Sequence, residues 1–126
     1  GVDDIVDFIG FRKDSEALMK HFDVFCLPSL SEGLSSAIMS AMACGLPVIS
    51  TEVGGIPELV IHEQSGLLVS PSSPEELADA LYRILTSPED RESFGKAGRM
   101  IVESRFTVRN KLKNTEQHYN LLLSQG

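Results

Sequence analysis

The stretch "SLSEGLSSAIMSAMACGLPVIS" (Ser29–Ser50) decides the reading of this chain. It opens as a polar loop around Gly33 and turns into an apolar run that predicts a helix over Ser35–Cys44. Gly45 suits a left-handed helix end, and Pro47 prevents the helix from continuing. The β-branched "PVIST" that follows predicts a strand. Loop, capped helix and strand in this order form one crossover unit of a parallel sheet.

The flanking segments extend the same alternation. "DIVDFIG" (Asp4–Gly10) mixes β-branched and aromatic residues and predicts a strand. "SEALMKHF" (Ser15–Phe22) places Leu18, Met19 and Phe22 at helical spacing, with Ser15 as cap. "DVFCLPS" (Asp23–Ser29) is a short apolar run ended by Pro28, as in a strand buried on both faces. Beyond "PVIST", the Gly-Gly turn of "EVGGIPELV" (Glu52–Val60) feeds a short helix, and "SGLLVSP" (Ser65–Pro71) predicts a fourth strand. "SPEELADALYRILTS" (Ser73–Ser87) has Ser73 as cap, Pro74 at the first helical position and Glu76 as capping-box partner. Its Leu77, Ala80, Leu81, Ile84 and Leu85 fall on one face. "PEDRESFGKAGRMIVESRF" and "TVRNKLKNTEQHYNLLLSQ" predict two further helices joined near Phe106–Thr107. Four strands alternating with helices demand parallel pairing with right-handed crossovers. The predicted fold class is α/β: a Rossmann-like open parallel sheet with flanking helices, followed by C-terminal helices.

Composition sets bounds on function. The 126 residues suffice for one domain, spanning 1–126, and the abrupt start almost inside a strand predicts a piece of a longer protein. The apolar fraction is 42%, yet no run approaches the ~18 apolar residues of a membrane span. The acidic N-terminus lacks the pattern of a signal peptide. A net charge of −7 argues against a broad nucleic-acid surface while leaving room for a local pocket for one small anion. Cys26 and Cys44 lie in apolar stretches without metal-ligand spacing and read as reduced thiols of a cytoplasmic protein. His21, His62 and His118 are scattered, so no metal site is expected. Serine nucleophile elbows, Walker A loops and G-x-G-x-x-G fingerprints are likewise missing from the sequence.

Ligands of open α/β sheets collect beyond the carboxyl ends of the strands. Three loops fall there: 10–14, 28–35 and 51–56. In the second, Gly33 lets backbone approach a ligand, and the amides of Leu34, Ser35 and Ser36 lie in a helix's first turn without intrahelical partners. With the helix dipole they suit a phosphate or a sugar hydroxyl. Glu32 can accept two hydrogen bonds from vicinal hydroxyls. Ser31 and Glu32 are equally readable as capping and dipole-complementing residues. In the third loop, Gly54 and Gly55 precede a short helix whose first amides are expected to face the same crevice.

The span "FDVFCLPSLSEGLSSAIMSAMACGLPVISTEVGGIPELV…SGLLV" resembles the C-terminal, donor-binding domain of retaining GT-B glycosyltransferases. The nearest group includes sucrose synthases, bacterial-type glycogen synthases and mannosyltransferases. The shared pattern is a D-V run ending in P-S, an E-G after it, an E-A-M-A helix, G-x-P-V and a G-G-x-x-E turn. It covers almost the whole chain, and most specifically 8–71.

The resemblance implies transfer of a sugar from a nucleotide-diphosphate sugar to a saccharide, lipid or small-molecule acceptor, with retention and without a cofactor or metal. Glu32 would be the catalytic carboxylate holding hydroxyls of the transferred sugar. Gly33, Leu34, Ser35 and Ser36 would contact sugar and diphosphate, and Gly10, Phe11, Arg12 and Lys13 would lie along the nucleobase. The partner would be the protein's own N-terminal, acceptor-binding domain, in a cytoplasmic enzyme with room for peripheral association at the inner face of a membrane. Two departures stand out. The family's E-x(7)-E pair begins at Glu32 and ends here at Ser40, where the second carboxylate would grip the ribose; Ser40 either contacts ribose or bonds back to the Ser36 carbonyl. The diphosphate-binding Arg and Lys lie upstream of residue 1, so the piece alone is expected to bind donor weakly and transfer nothing. A non-catalytic sugar-nucleotide-binding or interaction module is the alternative from another class. A sugar-nucleotide epimerase fits the helix motif less well.

Overall fold

Three short apolar runs pair in parallel as β1 (Phe25–Leu27), β2 (Val48–Thr51) and β3 (Gly66–Val69), in that order across the sheet. A computed structural model of the protein describes residues 2–105, 117 and 120–124. Helices α1 (Ser15–Met19), α2 (Ser36–Ala43), α3 (Ile56–Leu59), α4 (Pro74–Thr86) and α5 (Pro88–Arg105) fill the connections and the C-terminal side. The expected α/β alternation is therefore present, with the elements around Ser29–Ser50 within a residue or two of their predicted limits.

Period-two alternation along the strands splits the core into two layers. Val48 faces Ile38, Ala41, Met42, Ile56 and Leu59 from α2 and α3, whereas Ile49 faces Ala80, Ile84 and Phe94 from α4 and α5. Each fully buried Ile contributes about 1.5–3 kcal/mol through removal of its side chain from water. Gly45 takes φ +75 directly after α2, the left-handed turn that its lack of a Cβ permits, and its N–H donates to the Met42 carbonyl. Gly95 of α5 then packs so tightly on this turn that a Cβ there would lie 2.1 Å from the Gly45 carbonyl oxygen.

Three predictions of local structure are corrected. Asp4–Gly10 is not a strand. A strand needs a neighbour to satisfy its backbone, and among the described residues β1 pairs only with β2. Phe8 and Phe11 remain 94% and 92% exposed. At α4, the Ser73 hydroxyl accepts from the Glu76 N–H as predicted, but the reciprocal half of the capping box is not made. The Glu76 carboxylate accepts instead from the N–H (2.7 Å) and hydroxyl (3.2 Å) of Ser70, tying β3's end to the helix start. On that helix Ala80 and Ile84 are buried, while Leu85 is exposed. The expected last helix falls mostly outside the described residues, of which 120–124 are helical.

Candidate functional site

The carboxyl ends of the strands meet at Leu27, Thr51 and Val69, which places the loops after β1 and β2 on one edge. Two side chains of β2 fasten the β1 end. The buried Ser50 hydroxyl donates to the Leu27 carbonyl at 2.7 Å, and the buried Thr51 hydroxyl donates to the Ser29 carbonyl. A hydroxyl at these two positions thus replaces the ladder partner that the chain loses when it leaves the sheet at Pro28.

The loop carrying Glu32 is braced by the Gly-Gly turn. Gly55 N–H donates to the Glu32 carbonyl at 3.3 Å, and Gly54 sits at φ +55 directly against it. A Cβ on Gly54 would lie 1.6 Å from that carbonyl oxygen, and one on Gly55 would lie 3.0 Å from the Gly33 carbonyl oxygen. This corrects the expectation for the third loop. The amides that start α3 are already used: Gly55 N–H is taken by Glu32, Ile56 N–H by the Val53 carbonyl, Glu58 N–H by the Gly55 carbonyl, and Pro57 has none. The two glycines permit close backbone approach to Glu32 and Gly33.

Glu32 is half-buried, and its Oε1 accepts a 3.4 Å hydrogen bond from the Ser29 hydroxyl. That bond holds the carboxylate beside the helix start while leaving its other oxygen available. Ser35, not Ser31 or Glu32, is the residue that caps α2: its buried hydroxyl accepts from Ile38 N–H at 3.2 Å. Its carbonyl takes Met39 N–H. The amides of Gly33, Leu34, Ser35, Ser36 and Ala37 have no protein acceptor among the described residues. Leu34 and Ser36 are exposed, so these donors open to solvent at the positive end of the helix. A carboxylate and a row of free amides therefore share one loop.

Ser40 lies one turn further along α2. It bonds neither back to Ser36 nor to solvent alone: its hydroxyl donates to Glu16 Oε1 of α1 at 3.3 Å. Glu16, Ala17 and Lys20 face Ser40, Ala43 and Cys44 across a cleft of about 340 Å³. The Glu16 contact was not legible in the sequence, because no spacing rule links residues 24 apart. A second, mostly apolar cavity of about 160 Å³ lies at the strand ends beneath Leu30 and Leu77.

The loop 10–14 is not joined to these elements. Gly10 takes φ +65, and the Arg12 guanidinium makes a bidentate pair with Asp14 at 2.8 Å. That pair raises the Arg12 pKa and lowers that of Asp14. No hydrogen bond or ion pair links Gly10, Phe11, Arg12 or Lys13 to residues 28–40 among the described residues. Among them too, no group of three or more His, Cys, Asp and Glu could hold a metal ion, and no helix is long and apolar enough to cross a membrane. Cys26 and Cys44 are free thiols.

Against known proteins, the family described as "Glycosyl transferases group 1" matches residues 1–100. The chain belongs to this family. It is 38% identical over 113 residues to the amylovoran biosynthesis glycosyltransferase AmsK of Erwinia amylovora, covering 83% of this chain and 28% of that protein. It is 37% identical over 101 residues to the D-inositol 3-phosphate glycosyltransferase of Saccharomonospora viridis, covering 79% of this chain and 23% of that one. Among solved structures, the sucrose-phosphate synthase of Thermosynechococcus elongatus superposes with a TM-score of 0.92 at 35% identity, over 99% of this chain and 32% of that one. The Anabaena protein HepE, solved in complex with UDP-glucose, gives 0.86 at 29% identity, over 98% and 34%. The sheet with its flanking helices is a Rossmann-like half of the GT-B fold. The chain spans roughly a quarter to a third of the relatives it matches.

Proposed function

We propose that this chain is the donor-binding half of a glycosyltransferase that moves a sugar from a nucleotide-diphosphate sugar to a saccharide, lipid or small-molecule acceptor, with retention. The observation that carries the reading is the loop 32–37, where one carboxylate and a row of amides without protein acceptors are held together by Thr51, Gly54 and Gly55. The named activities of the relatives and the UDP-glucose in the HepE structure support it.

In this reading Glu32 accepts hydrogen bonds from two hydroxyls of the transferred sugar and fixes its orientation. The amides of Gly33, Leu34, Ser35, Ser36 and Ala37, at the positive end of α2, stabilise the diphosphate as negative charge develops on leaving. Donors fixed by a folded loop need no reorganisation at that moment, which is where their advantage over water arises. Gly10, Phe11, Arg12 and Lys13 lie along the nucleobase; Arg12 must exchange Asp14 for ligand to take part. No cofactor or metal is assigned a role. The protein's own N-terminal domain completes the site by bringing the acceptor, in a cytoplasmic enzyme that works free or at the inner face of a membrane.

The test is titration of the protein with uridine, guanosine and adenosine diphosphate sugars while following amide chemical shifts. Shifts centred on Gly33, Leu34, Ser35 and Ser36 with one of the three bases are expected. No response at millimolar concentration of any of them overturns the proposal.

A further inference from the structure

The carboxylate of Glu16 meets the hydroxyl of Ser40 at 3.3 Å on the wall of the 340 Å³ cleft between α1 and α2. The Cys44 thiol, one turn beyond Ser40, adds a second contact at 4.0 Å from the Glu16 carbonyl, so both the backbone and the side chain of Glu16 meet this face of α2. Ser40 follows Ser36 by four residues, so it lies on the same face of α2 and about 6 Å deeper along the axis. The order along the molecule is therefore Glu32, then the open amides, then the Ser40–Glu16 pair.

A nucleotide-diphosphate sugar carries its recognisable groups in a fixed order too: a sugar with vicinal hydroxyls, a diphosphate, a ribose with its 2′,3′-diol, and the base. With Glu32 at the sugar and the amides at the diphosphate, the ribose diol falls at the pair. There a carboxylate oxygen and a hydroxyl oxygen stand side by side. Ser40 already donates its only proton to Glu16, so both groups present lone pairs outward and can each accept from one hydroxyl of a cis-diol.

We propose that Glu16, carried on α1, is the carboxylate that binds the donor's ribose in this protein, with Ser40 orienting it. A carboxylate at position 40 is then unnecessary, because the neighbouring helix delivers one to the same place. The inference rests on the donor-binding reading above and adds to it a specificity-determining residue that lies outside the helix-start motif. Glu16 is exposed and at the start of a short helix, so its replacement leaves the core untouched.

The experiment compares binding of uridine, guanosine and adenosine diphosphates, their 2′,3′-dideoxy counterparts, and inorganic pyrophosphate to the protein. The unsubstituted protein should prefer the ribonucleotide over its dideoxy form by about tenfold or more, the worth of a charge-assisted hydrogen bond. In Glu16→Gln that preference should collapse while pyrophosphate affinity is kept. The double variant Glu16→Gln/Ser40→Glu, which moves the carboxylate onto α2, should restore it. Preference retained in Glu16→Gln, or not restored in the double variant, overturns the inference. Nucleotide binding by the unsubstituted protein without any preference overturns it while leaving the donor-binding reading intact. No binding of any nucleotide overturns both.

Discussion

Gly54→Ala isolates the contact that positions Glu32. Gly54 sits at φ +55, a left-handed conformation that costs an Ala about 1–2 kcal/mol. The added Cβ would also lie 1.6 Å from the Glu32 carbonyl oxygen, where real contacts under 3.0 Å essentially never occur. The neighbour is backbone, so the Glu32 loop must move away by well over an ångström. That movement breaks the 3.3 Å bond from Gly55 N–H to the Glu32 carbonyl, a further net loss of about 1 kcal/mol. The expected destabilisation is about 2–3 kcal/mol in urea titration, with the slope unchanged if the fold survives. Donor affinity should fall by about tenfold or more, since a 1 Å misplacement of a binding group suffices for that. Gly33→Ala is the control for stability alone: a Cβ there meets no protein atom within 4 Å, and stability should change by no more than about 0.5 kcal/mol. A Gly54→Ala protein as stable as the unsubstituted one, with unaltered donor affinity, would refute the claim that the Gly-Gly turn sets the Glu32 loop.

Three further outcomes are expected. Ser35→Ala removes the hydroxyl that caps Ile38 N–H and should cost about 1 kcal/mol in denaturant, while an unchanged midpoint would show that the cap is idle. Arg83 grips Glu63 at 2.6 and 2.7 Å and holds its carboxyl below the ordinary carboxylate range. Because the folded value is depressed, this contribution is full above the unfolded pKa and is lost as pH falls through the folded one. Acid titration of stability should therefore show a step of no more than about 1 kcal/mol, given the pair's exposure, that Glu63→Gln abolishes. Burial pushes the Cys26 thiol up, so native protein at pH near 8 should resist iodoacetamide at Cys26 and react there only in denaturant; rapid native alkylation would contradict it.

The parts of the fold that local chemistry encodes were readable in advance. Gly45 followed by Pro47 ends α2, Ser73 with Pro74 starts α4, and "PVIST" becomes β2 because its apolar faces have layers to meet on both sides. What depended on distant partners was not. "DIVDFIG" has strand composition, but composition cannot supply a neighbour, and none of the described strands pairs with it. Glu76 looked committed to its own helix cap until β3 brought the Ser70 amide within 2.7 Å.

The candidate site divides in the same way. Glu32 and Gly33 announce a loop before a helix, and the free amides follow from that alone. Gly54 and Gly55 announce a turn before a short helix, but only the fold reveals that their backbone presses on Glu32 and Gly33. Ser40 read as a missing carboxylate, whereas the packing of α1 on α2 brings Glu16 to it. In consequence Ser40→Glu alone sets two carboxylates side by side.

Loop 32–37 is proposed to bind a nucleotide-diphosphate sugar through Glu32 and its open amides. Titration of unsubstituted and Glu32→Gln protein with the preferred nucleotide sugar and with the corresponding nucleoside diphosphate tests that proposal most directly. Glu32→Gln should weaken binding of the nucleotide sugar about tenfold and leave the diphosphate nearly unaffected, because in the proposed pose the carboxylate touches only the sugar. Equal affinities of both proteins for the nucleotide sugar would contradict it.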